Sequence, residues 1–312
     1  MTTLKNYMSL IKFSHTIFAM PFAIIGFFLG WANIESAVSV KPSWRTTVFS
    51  KRIQALFGDP VINDLVWKFI LVLFCMVFAR SAAMAFNRYL DRSFDKRNPR
   101  TAIREIPAGI LKANDVLLFT VINCLLFIAC TFFINQLCFY LSPVALFVVL
   151  GYSYTKRFTP LCHLILGLGL SLAPIGAYLA VTAQFSILPI LFSLAVIFWV
   201  SGFDIIYALQ DEEFDKSQQL FSIPASLGKA GALRVSELVH LLSGGCVVIA
   251  GIYGQFSWLY WVGIGVFTGM LLYQHSIIKP NDLRKVNVAF MTANGIASVV
   301  FAIFVVADLL IG

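Results

Sequence analysis

Two acidic stretches hold the side chains in this sequence best suited to chemistry. The first, NRYLDRSFD, sets Asn87, Asp91 and Asp95 four residues apart. On a helix such positions advance by only about 40° per step, so their oxygens share one face. The second, DIIYALQDEEFD, sets Asp204, Tyr207, Asp211 and Asp215 at spacings of three, four and four, which predicts a second oxygen-rich face. Clustered carboxylate and amide oxygens with no nearby His or Cys suit a hard cation, and Mg²⁺ in particular binds through one or two carboxylates plus phosphate oxygens of a substrate. A diphosphate bridged by Mg²⁺ is the guest these two walls predict. Basic side chains interleave with the first wall: Arg88, Arg92, Lys96, Arg97, Arg100 and Arg104. They can pair with phosphate oxygens or with lipid headgroups, and they are too many for all to serve one site. A third stretch, YSYTKRFTP, puts Lys156 and Arg157 beside Tyr152 and Tyr154, a set that could clamp an anion or anchor the chain at a membrane interface.

The elements that must position these groups are membrane helices. Of 312 residues, 59% are hydrophobic and only 12% are charged, about half the usual share for a soluble domain. A hydrocarbon core about 30 Å thick needs about 20 apolar residues per helix. Such runs recur at roughly 15–34, 65–87, 114–134, 137–154, 161–183, 187–208, 232–253, 257–276 and 288–311. They are too long for buried strands and lack strand-like alternation, so the predicted fold is all-α: a polytopic protein with nine transmembrane helices around a central cavity. The first run follows Lys5 and Lys12 in the manner of a signal peptide, but its length and the lack of a small-residue cleavage site make it the first span. With the N-terminus cytoplasmic, most of the 23 Lys and Arg fall on the cytoplasmic side, while Lys41, Arg45, Lys51, Arg52 and Lys68 form a local exception.

The net charge of +8 is thus a topology signal plus attraction for anionic lipid, and no nucleic-acid module is recognisable. Cys75, Cys124, Cys130, Cys138, Cys162 and Cys246 lack CxxC spacing, which argues against a disulfide frame or a zinc site. His15, His163, His240 and His275 share no spacing and are expected at interfacial or core positions.

Asp91 and Asp211 are 120 residues apart, as are Asp95 and Asp215. That interval predicts one domain built of two parallel pseudo-repeats, roughly 1–155 and 156–276, plus a ninth helix, with both acidic walls on the cytoplasmic side facing one cavity. Taken alone, NRYLDRSFD would also read as a positive-inside loop with ion pairs along its helix end. The matching second motif argues for a site, because carboxylates at membrane depth are costly.

These residues resemble the UbiA superfamily of intramembrane aromatic prenyltransferases. The likeness rests on NRYLDRSFD and DIIYALQDEEFD, on RTAIREIPAG (Arg100 to Gly109), on YSYTKR and on SIPASLG (Ser222 to Gly228). It implies nine helices around a cavity that opens sideways to lipid, admitting a polyprenyl diphosphate whose prenyl group is moved to an aromatic acid. It further implies that Asn87, Asp91, Asp95, Asp211 and Asp215 hold Mg²⁺ and diphosphate, and that Lys156 and Arg157 bind diphosphate. Asp204 and Tyr207 would lie deeper, near the acceptor or the reacting carbon. Arg104 becomes a candidate for the acceptor carboxylate, and Arg100 and Tyr152 for substrate contacts. The chain departs from the family at Arg88, where many members place an acid, and at Arg104-Glu105, where an Arg-Pro pair is usual.

By this resemblance the expected reaction is Mg²⁺-dependent ionisation of the allylic C–O bond, followed by attack of an electron-rich ring, with Asp204 a candidate proton acceptor. The 30 Phe, 10 Tyr and 6 Trp include rings that could face the cation. The expected acceptor is 4-hydroxybenzoate, for ubiquinone-type quinone biosynthesis in a bacterial-type inner (plasma) membrane with the site towards the cytoplasm. Dihydroxynaphthoate, for menaquinone biosynthesis, is the alternative. A secondary transporter is the rival from another class, disfavoured because the acids cluster at one membrane side rather than at the midplane.

Overall fold

A computed structural model describes residues 2–11, 18–38 and 60–311, and among these the regular structure is helical apart from one isolated bridge between Lys279 and Asp282. Lys12, His15, Lys41, Arg45, Lys51, Arg52 and the start of the first expected span lie outside the described residues. The elements are α1 (Thr2–Leu10), α2 (Met20–Val38), α3 (Pro60–Arg97), α4 (Ala113–Ile134), α5 (Gln136–Thr155), α6 (Cys162–Thr182) and α7 (Ile187–Ala208). A 3₁₀ turn (Leu209–Asp211) then leads to α8 (Glu212–Ser217), α9 (Ile223–Tyr253), α10 (Trp258–Ile277), a π-helical turn (Val288–Ala293) and α11 (Asn294–Ile311).

Among the described residues seven helical stretches are long and apolar enough to cross a membrane: α3, α4, α5, α6, α7 with its extension to Ser217, α9, and the π turn with α11. The other two expected spans are helical as well. The apolar part of α2 runs only from Met20 to Asn33, and Trp, Tyr, Gln274 and His275 lower the hydropathy of α10.

Two boundaries differ from the sequence pattern for physical reasons. The second span does not stop at residue 87, because α3 continues through the charged stretch to Arg97. Its 38 residues, at about 1.5 Å each, reach about 57 Å, far beyond a hydrocarbon core of about 30 Å. The third and fourth spans, nearly continuous in sequence, are separated by one residue. Asn135 takes an extended conformation, accepts from Cys138 N (2.8 Å) as the cap of α5, and donates to Leu179 O of α6 (2.8 Å).

The packing divides into a solid side and a hollow side. On the solid side α2, α7, α9, α10 and α11 bury an aromatic core that includes Phe22, Phe192, Trp199, Tyr260, Phe267 and Phe301. There Asp308 caps α10, accepting from Ser257 N (2.8 Å) and Tyr260 N (3.1 Å). Helix α2 lies against α6 so closely that a Cβ at Gly26 would fall 2.0 Å from Pro174 O. On the hollow side α3, α4, α5 and α6 enclose an apolar slot of about 370 Å³. Val144 and Phe185 in its lining are exposed, so the slot is open rather than sealed.

Candidate active site

At one end of the slot the helices spread around a polar chamber of about 290 Å³. The structure brings to it Asn87, Asp91, Asp95, Arg100, Arg104, Tyr152, Lys156, Arg157, Asp204, Tyr207, Asp211 and Asp215, but not Arg92, Lys96, Arg97 or Tyr154. Chamber and slot share Arg80, Met84, Tyr152, Leu166 and Leu170 in their linings and so adjoin, a charged cavity next to an apolar one.

The first wall is the C-terminal end of α3, where Asn87 and Asp91 are half-buried and Asp95 is buried. Asn87 Nδ2 donates to Asp91 Oδ2 at 3.1 Å, one helical turn on, as the four-residue spacing requires. The second wall is not the single helix that the spacing suggests. Helix α7 ends at Ala208, and Asp211 adopts φ −104° and ψ 4° before α8 starts. Glu212, Glu213 and Asp215 crowd the first turn of α8, where acidic side chains favour a fresh helix N-terminus over continuation of the old one. All four residues of that motif still reach the chamber.

Each principal carboxylate is met by a base from elsewhere in the chain. Arg157 Nη2 donates to Asp91 Oδ1 at 2.8 Å, and Arg104 Nη1 to Asp95 Oδ1 at 2.6 Å. Arg100 grips Asp211 with two nitrogens, Nε donating to Oδ1 at 3.0 Å and Nη2 to Oδ2, and its Nη1 donates to Tyr207 OH at 3.1 Å. Lys156 Nζ lies 2.7 Å from Asp215 Oδ1. Arg100 and Arg104 therefore strap opposite walls, and so do the adjacent Lys156 and Arg157. Burial alone would lower the Lys156 ammonium, but Asp215 more than offsets it and holds Lys156 above its ordinary pKa. Tyr154, two residues from Tyr152 and so on the far side of the helix, points outward. Arg92, Lys96 and Arg97 are likewise exposed and belong to the surface.

Several polar groups in the chamber were not evident from spacing. His163 Nδ1 lies 2.6 Å from Asp204 Oδ2, and Ile223 N donates weakly to His163 Nε2 at 3.4 Å. The expected core position of His163 is met, since it is buried, but it also orients a candidate site carboxylate. Asn98 donates to Asp211 Oδ1 (3.2 Å). Ser222 donates to Asp215 Oδ2 (2.9 Å) while capping α9. His163 and Asp204 are 41 residues apart, a separation that no local pattern reports.

Among the described residues no three His, Cys, Asp or Glu side chains form a ready-made metal cage. The donor set still fits Mg²⁺ completed by phosphate oxygens: Asp95 Oδ2 is buried without a hydrogen-bond partner, beside the Asn87–Asp91 pair.

Long apolar helices around a polar chamber that adjoins an open apolar slot define an integral membrane protein with neighbouring charged and apolar cavities. The sequence pattern of the UbiA prenyltransferase family matches residues 43–296, and the chain belongs to that family. A 4-hydroxybenzoate octaprenyltransferase of Cupriavidus pinatubonensis is 30% identical over 239 residues, covering 74% of this chain and 83% of the relative. That of Tolumonas auensis is 31% identical over 223 residues, covering 72% and 78%. Among solved structures, the apo UbiA homolog from Aeropyrum pernix superposes with a TM-score of 0.73 at 26% identity, covering 95% of this chain and 97% of that one. A homolog from Archaeoglobus fulgidus bound to DMAPP and Mg²⁺ shares the fold, with a TM-score of 0.68 at 18% identity and coverage of 98% and 100%.

Proposed function

We propose that the protein transfers a polyprenyl group from polyprenyl diphosphate to the ring of 4-hydroxybenzoate, releasing diphosphate, as a step in ubiquinone-type quinone biosynthesis. The observation that carries this reading is the adjacency of charged chamber and apolar slot across shared lining residues, which matches a ligand with an anionic head and a hydrocarbon tail. The 4-hydroxybenzoate octaprenyltransferases among the relatives support the acceptor. We read the topology as nine crossings in one domain of two pseudo-repeats and a ninth helix, with the N-terminus and the chamber on the cytoplasmic side of a bacterial inner membrane.

In this reading the tail lies in the slot and the diphosphate enters the chamber, where Arg100, Arg104, Lys156 and Arg157 turn from the carboxylates to phosphate oxygens. Asn87, Asp91, Asp95, Asp211 and Asp215 would hold Mg²⁺, whose charge, when it is bound, stabilises the departing diphosphate. The allylic C–O bond breaks and its electron pair leaves with the diphosphate. Phe18, Phe203 and Phe290 line the same chamber and keep water from the allylic cation. The acceptor ring forms the new C–C bond, and Asp204, oriented by His163, takes the ring proton.

The test supplies purified protein with Mg²⁺, one polyprenyl diphosphate and an equimolar mixture of 4-hydroxybenzoate and a dihydroxynaphthoate. The expected result is diphosphate release and a product with the mass of prenylated 4-hydroxybenzoate. A naphthoate product alone would replace the acceptor and move the protein to menaquinone synthesis. Absence of diphosphate release with either acceptor would refute transfer and favour the transporter.

A further inference from the structure

Two charged residues of the chamber are left out of the ion pairs above, Arg80 at the junction with the slot and Arg88 beside the first wall, and Arg88 is the one placed among the carboxylates. It is only 5% exposed, it lines the chamber, and its Nε has no hydrogen-bond partner. Its charged surroundings are mixed: Asp95 and Glu105 attract it, while Arg104 repels it. The nearby carboxylates are engaged elsewhere, Asp91 by Arg157, Asp95 through Oδ1 by Arg104, Asp211 by Arg100 and Asp215 by Lys156, while Glu105 accepts from Ser9 Oγ. A guanidinium buried without a partner is unfavourable, and a planar donor of this kind suits an oxyanion. Its place on α3, one residue from Asn87, sets it beside the first wall rather than at the apolar slot.

We propose that Arg88 is a diphosphate-binding residue that supplies in fixed form the positive charge of a further metal ion, so that a single divalent cation accompanies the donor. This rests on the reading of the chamber as a prenyl diphosphate site. The charge argument is direct. One Mg²⁺ leaves a fully ionised prenyl diphosphate anionic, and Arg88, unlike Arg100, Arg104 and Arg157, can meet that residual charge without first giving up a carboxylate. Exchanging it for an acid would alter the local charge by as much as one divalent ion carries. The site would then need that ion from solution.

The experiment uses the full-length protein in detergent, a non-ionisable geranyl diphosphonate as donor analogue, and Mn²⁺ counted by electron paramagnetic resonance. The expected result is one Mn²⁺ per chain in the ternary complex. Arg88→Gln should weaken analogue binding by about tenfold or more, with Arg88→Lys recovering part of the loss. Arg88→Asp should bind the analogue only as Mn²⁺ is raised, and then with two Mn²⁺ per chain. Two Mn²⁺ in the wild-type complex, a measurement that depends on no variant, would overturn the proposal. So would unchanged analogue affinity in a folded Arg88→Gln protein. A wild-type chain that binds no analogue at any Mn²⁺ concentration would overturn the donor site itself together with this role, which separates the two failures.

Discussion

Replacing Lys156 by Met tests the strapping of the two walls directly. The Asp215 side chain is fully buried, with Lys156 on Oδ1 at 2.7 Å and Ser222 on Oδ2 at 2.9 Å. Removing the ammonium strands a buried carboxylate, a change that costs about 3–5 kcal/mol when both partners are buried. Lys156 is 34% exposed, so solvent already screens part of the attraction, and a loss of about 2 kcal/mol is the better expectation. At about 2 °C of melting temperature per kcal/mol for a chain of this size, that is a fall of about 4 °C. Asp215→Asn should cost less, because the freed Lys156 can turn to water. The double variant should be more stable than Lys156→Met alone. Thermal melts of all four proteins in one detergent give the cycle, with a coupling of about 2 kcal/mol expected. If the single effects add to within about 0.5 kcal/mol, the two side chains act independently and the strapping argument fails.

Three further outcomes follow from the geometry. Asp91→Ala and Asp211→Ala should each lower turnover by about 10²–10³ while leaving insertion and melting close to wild type; near-normal turnover in both would dismiss the two-wall site. His163→Ala removes the group 2.6 Å from Asp204 and should reduce kcat by about tenfold or more with the donor KM unchanged, and a change confined to donor KM would place His163 at the diphosphate instead. Asp308→Ala removes the cap on Ser257 N and Tyr260 N and should destabilise the protein by about 1–2 kcal/mol with activity intact at low temperature, measured by melting and turnover side by side.

What the sequence discloses here depends on whether an interaction is local. Asn87, Asp91 and Asp95 are legible as a wall because a helix repeats nearly every four residues, and that helix forms. The same rule misjudges Asp204 to Asp215, where a cluster of acids restarts the helix at Glu212 and only tertiary packing returns the motif to the chamber. The near-fusion of the third and fourth spans is decided by Asn135, whose side chain bonds to carbonyls 44 and 45 residues away. Lys156 and Arg157 are visible as a basic pair, yet nothing in their adjacency says that they serve opposite walls. His163 is not legible from histidine spacing, because its partner is a carboxylate on α7. Aromatic and polar residues at the ends of α10 leave it short of the apolarity that marks its neighbours, although it packs in the same core.

The crossed ion pairs also bear on which ligands the chamber accepts. A divalent cation arriving alone would take carboxylate oxygens and leave Arg100, Arg104, Lys156 and Arg157 without counter-ions. A diphosphate arriving alone would take the bases and leave Asp91, Asp95, Asp211 and Asp215 facing one another. Only the two together satisfy both sets at once. On the proposed reading the paired charges would make the chamber a coincidence detector, favouring neither a metal ion nor a phosphate alone over the two together on one prenyl chain.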